Sequence, residues 1–175
     1  MKVLKRIVFA FLVSVFTFFL GCTETEQEST LSQNQPYIFE KSVCTVYDGV
    51  TMENLSKYIP MRLPLGQKSP ETVEEFEAMV LTNIREFSIR HMSDGKMIEV
   101  HFTNVFASIE ITDTVCKFQF QGEETVEFSY VKEGNTYTIT EEQETIAFTY
   151  EDNRLSYTIK APEYFEVTHY FKLAE

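Results

Sequence analysis

The 175-residue chain has no tryptophan, and only three cysteines, three histidines and six glycines. So few glycines leave no loop of the kind that cradles a phosphate on its backbone. The cysteines stand singly at positions 22, 44 and 116, with no Cys-x-x-Cys and no Cys/His spacing to suggest a metal site. No Asp-rich calcium loop is present, and no serine or cysteine occupies a nucleophile elbow. Basic residues are scarce as well, 15 against 27 acidic. Such a field repels nucleic acid and anionic lipid head groups, so nucleic-acid partners are excluded. These absences leave no metal, no cofactor and no catalytic constellation, and a non-enzymatic protein is expected.

A membrane-spanning run is missing too. Ile7 to Leu20 is apolar apart from Ser14 and Thr17. Its length as a helix is about 21 Å, short of the roughly 30 Å hydrocarbon core. Lys2, Lys5 and Arg6 precede it and small Gly21 follows, the layout of a secretory signal over residues 1–21. The stretch Phe19-Leu20-Gly21-Cys22 resembles the lipobox of bacterial lipoproteins, with Phe19 where leucine is common. That resemblance implies cleavage before Cys22, a thioether diacylglycerol on its sulfur, and acylation (palmitate) of the new amine. Two or three acyl chains anchor stably where one does not. The expected location is the outer membrane or cell surface, with the body outside the cytoplasm.

Residues 22–36 then form a lipidated tether. Within 23–35 (TETEQESTLSQNQ) Leu31 is the only aliphatic side chain, too little apolar area to offset ordering. Its acidic start resembles the surface-export signal of Bacteroidetes lipoproteins; a plain solvated linker is the equal alternative. Removal of residues 1–21 leaves 154 residues with 12 basic and 27 acidic side chains, a net charge of −15. That length suits one domain, taken as 37–175. With Cys22 lipidated, Cys44 and Cys116 remain, either as a disulfide in an oxidising compartment or as two buried thiols.

The period of the apolar residues changes along this domain. A helical part is expected over about 50–92. Thr51 caps a short helix ended by Pro60, and Ser69-Pro70 starts a second carrying Val73, Phe76, Val80, Ile84 and Phe87 to about His91. From Met97 to Leu173 the period is two. Eight strands are expected, around Ile98, Ile109, Phe118, Phe128, Tyr137, Phe148, Tyr157 and Val167, with turns roughly every ten residues. The fold class is therefore mainly β (α+β): N-terminal helices, then an eight-stranded antiparallel meander. It forms a closed barrel or an open, strongly bent sheet covered by the second helix.

YVKEGNTYTITEEQETIAFTYEDNRLSYTI (130–159) and the terminal FEVTHYFKL look like the lipocalin-like lipoproteins of gut Bacteroidetes. The likeness covers about the last 80 residues and implies a calycin-type meander without naming a ligand. Lacking tryptophan, the chain departs from true lipocalins, whose first strand carries Gly-x-Trp.

Among the histidines, His91 reads as a helix cap and His101 as a solvated strand residue. His169 shares parity with Phe165, Val167 and Phe171. It is either a core histidine bonded to a tyrosine or a polar contact for a small ligand, unless a bulge turns it outward. Tyr130 and Tyr157 are its candidate companions, their hydroxyls needing partners inside. The bulky aromatics expected inside argue against a roomy cavity. Two functions follow: binding of a small apolar or amphipathic molecule, or a solid-cored module that meets an envelope protein through an apolar patch around Phe106, Tyr164 and Tyr170.

Overall fold

The computed structural model describes residues 31, 33–59, 66–93, 95–141, 144–161 and 163–175. The expected signal segment, the lipobox with Cys22, most of the tether and Pro60 lie outside them. The described elements are β1 (Pro36–Val46), α1 (Met52–Leu55, continued by a 3-10 turn over Ser56–Tyr58), α2 (Val73–Thr82), β2 (Ser88–Ser93) and β3 (Lys96–His101). They continue with β4 (Phe106–Ile111), β5 (Val115–Phe120), β6 (Thr125–Ser129), β7 (Val131–Glu133), β8 (Thr136–Glu141), β9 (Glu144–Glu151), β10 (Arg154–Ala161) and β11 (Phe165–Leu173).

Nine strands form one sheet in the order β6-β5-β4-β1-β11-β10-β9-β8-β7, while β2 and β3 pair only with each other. The two end strands of that order follow one another in the chain, separated by Tyr130 alone. β6 pairs with β5 from Val115↔Ser129 to Gln119↔Thr125, and β7 pairs with β8 from Val131↔Thr138 to Glu133↔Thr136. The run 125–133 thus changes partner at Tyr130. Counted once, it makes the pairing return on itself through eight strands, the barrel-like antiparallel arrangement expected from the sequence.

The identity of the eight differs from expectation. The Lys96–His101 strand belongs to the separate hairpin, and its place in the large sheet is taken by β1, which precedes both helices. β1 gives no clean alternation: Tyr37 and Cys44 are both buried although they lie seven residues apart, on opposite parities. A strand that changes its buried face midway hides its period.

The second helix is also shorter than expected. It starts at a Thr72/Glu75 capping box, not at Ser69-Pro70: Thr72 Oγ1 accepts the Glu75 N–H, and Glu75 reaches back to the Thr72 N–H. It ends at Asn83, whose side chain donates to the Met79 carbonyl at 2.9 Å and so replaces the helix's own continuation. His91 accordingly lies on β2 opposite Ile98, not at a helix end. The first helix does begin at Thr51, with a capping box to Asn54.

The chain divides into two compact units. One contains residues 41–105 and 158–169. At its core Phe165 meets Phe102 at a centroid distance of 5.2 Å, Phe76 at 5.3 Å, Tyr58 at 6.0 Å and Phe87 at 6.2 Å. The described part of the other contains residues 31–40, 106–157 and 170–175. Its hub is Phe106, against Phe118 at 5.0 Å, Phe120 at 5.3 Å, Tyr157 at 5.5 Å, Phe148 at 6.0 Å and Phe171 at 6.5 Å. Phe106 was expected on the outer face. The β4–β5 register shifts between Phe106 and Ser108, and such a bulge reverses the side-chain parity, leaving Phe106 buried and Val105 exposed.

Candidate functional site

His169 stands on β11 between Val167 and Phe171, all three fully buried, so the parity argument places its ring correctly. Ser42, on the inward side of β1, brings its hydroxyl to 2.7 Å from His169 Nδ1. Burial pushes the imidazole pKa down to about 4, while a hydrogen bond with the Phe102 main chain acts more weakly in the opposite direction. At neutral pH the ring is uncharged, and the serine hydroxyl is the natural donor to Nδ1. A serine beside a histidine has the atoms of a nucleophile and its base. Here the histidine is fully buried and a weak base while the serine is half-buried, and their bond pins β1 to β11.

Tyr130 and Tyr157 belong to the other unit. Tyr130, at the change of partner between β6 and β7, donates its hydroxyl to the Thr112 carbonyl at 2.8 Å. Its ring stands edge-on to Tyr137 at 5.4 Å. It clasps the point where the sheet returns on itself. Tyr157 is buried with its ring stacked on Phe171 at 6.0 Å and edge-on to Phe148 at 5.3 Å; burial holds its hydroxyl protonated. Each expected site tyrosine is thus engaged by protein atoms.

Cys44 and Cys116 are free and buried. The disulfide is not formed. Burial pushes both thiols up to about 12, with Glu77 adding to the effect at Cys44.

Two polar groupings escaped the sequence reading because their members are far apart in the chain. Lys57 donates to Tyr164 Oη at 2.7 Å and lies over the Tyr164 ring at 4.0 Å and the Tyr58 ring at 5.0 Å. Tyr47 donates to Glu166 at 3.0 Å, where Lys160 also approaches at 3.8 Å. His101 is half-exposed on β3, 4.0 Å from Glu99, as its polar face suggested. Among the described residues no three His, Cys, Asp or Glu side chains converge as metal ligands. Nor is any described helix long and apolar enough to cross a membrane. Searches of protein-family models, curated proteins and solved structures find no match to this chain.

Proposed function

We propose that the chain is an exported, lipid-anchored, non-enzymatic envelope protein whose β body acts as a solid-cored interaction or structural module. The anchor is Cys22, with the acidic tether holding the body off the membrane at the outer membrane or cell surface. The observation that carries the module reading is the Phe106 hub, where the rings of Phe118, Phe120, Phe148, Tyr157 and Phe171 fill the space a ligand would use. The alternative, a small apolar or amphipathic ligand held by His169, Tyr130 and Tyr157, has less support. Those side chains already serve Ser42, Thr112 and the aromatic core.

Expression of the full chain in a diderm bacterial host supplied with an alkyne analogue of palmitate tests the anchor. Label should be incorporated, a Cys22→Ala variant should lose it, and external protease should digest the body on intact cells. An unlabelled wild-type protein, or a labelled C22A variant, overturns the anchor; a body protected from protease overturns surface display.

A further inference from the structure

The change of partner at Tyr130 leaves part of the sheet unladdered on one side. Among the described residues β6 pairs only with β5, and residues 139–141 of β8 pair only with β9, because the β7–β8 ladder stops at Val131↔Thr138. Continuing that register would set Ser129 against Thr140, but no such pairing is formed. Two edges with backbone donors and acceptors therefore border an open seam, inside a single unit. An edge of this kind is a template for a further strand.

We propose that this seam receives an extended, basic peptide strand from a partner protein. Five residues, Thr125–Ser129, offer the longer edge, with Thr125, Glu127 and Ser129 exposed and Val126 and Phe128 half-buried. An added strand with apolar side chains on one face and Lys or Arg on the other matches that alternation. The charge chooses basic residues. Glu127 lies at the middle of the exposed row, Glu123 and Glu124 precede it in an exposed turn, and Glu141 closes the β8 edge. Of the cations nearby, Lys117, opposite Glu127, feels that carboxylate's charge but donates its hydrogen bond to Glu110 at 2.9 Å, and Lys132 lies 5.5 Å over the Tyr137 ring. The chain's own acidic tether, TETEQEST, carries the wrong charge to fill the seam.

The inference rests on the interaction-module reading. The two fail separately, since a retained small molecule would overturn the module and a silent titration only the seam. The test is hydrogen exchange of the detergent-solubilised full-length protein with a blocked nine-residue peptide of alternating lysine and valine. Slowed exchange confined to 125–129 and 139–141 is expected, with at least five-fold weaker binding to Glu127→Lys. A Lys-Pro peptide of equal charge, which cannot ladder, should give no protection. Absence of protection at the seam, equal action of the Lys-Pro peptide, or indifference to E127K would each overturn the proposal.

Discussion

Ser42 Oγ and His169 Nδ1 lie 2.7 Å apart across 127 positions of sequence, joining β1 to β11 through a fully buried ring and a half-buried serine. Burial of this ring couples stability to pH. The folded-state pKa of His169, about 4, is below the ordinary 6.5, so the unfolded chain binds the proton first as pH falls. The contribution is complete above about pH 6.5 and lost progressively towards pH 4, about 3 kcal/mol over the window. Denaturant unfolding from pH 4.5 to 7.5 should show a shallower slope for His169→Phe than for wild type. Equal slopes would assign the pH dependence to the carboxylates.

Removing the hydroxyl alone leaves the imidazole buried without that bond. Ser42→Ala should cost about 1–3 kcal/mol. In a double-mutant cycle with His169→Phe the effects should be non-additive, since the second change removes the group that needed the partner. Additive losses would show that the two side chains stabilise independently.

Phe106 joins five rings of the described part of its unit, and truncation leaves a void among rigid neighbours. Phe106→Ala should cost about 3–5 kcal/mol. The adjacent Val105→Ala, at an exposed position, should stay within about 0.5 kcal/mol. Thermal unfolding of both variants checks this contrast, which reverses if Phe106 faces outward as plain alternation would have it.

The cysteines make a fourth prediction. With both thiols buried and pushed up to about 12, the thiolate fraction at pH 8 is small and access is poor. A thiol reagent should modify Cys44 and Cys116 slowly in the native protein and at once in denaturant, with no change on prior reduction. Two thiols that appear only after reduction would restore the disulfide.

Tyr130 holds the closure of the sheet. Tyr130→Phe keeps the ring contact with Tyr137 but loses the bond to the Thr112 carbonyl, at a cost of about 1 kcal/mol. Amide exchange over 125–133 should quicken while that of β10 does not. Uniform quickening would mean a general loss of stability with no local role in closure.

The legible part of this fold is the part with a single period. The strands around Ile109, Phe118, Phe128, Tyr137, Phe148, Tyr157 and Val167 all pair in the large sheet. The Asp152-Asn153 turn follows the same local logic: both residues have positive φ, which a two-residue hairpin turn requires. Where two signals competed, the reading failed. The apolar spacing of Ile84 and Phe87 continued a helix that Asn83 ends, and a bulge inverted Phe106. β1 was invisible because its buried face changes between Tyr37 and Cys44. Of the candidate site, the inward face of His169 was readable from alternation. Its partner Ser42 was not, since nothing local in KSVC marks a serine that meets a ring 127 residues away.

On the proposed reading the body is a solid module, with its interior space taken by its own rings. Native mass spectrometry of the protein purified from a host that acylates it tests this most directly. The expected mass equals the polypeptide plus the acyl groups on Cys22, unchanged after mild denaturation and refolding. A stoichiometric small molecule that leaves only on unfolding would contradict it and restore the ligand-binding reading.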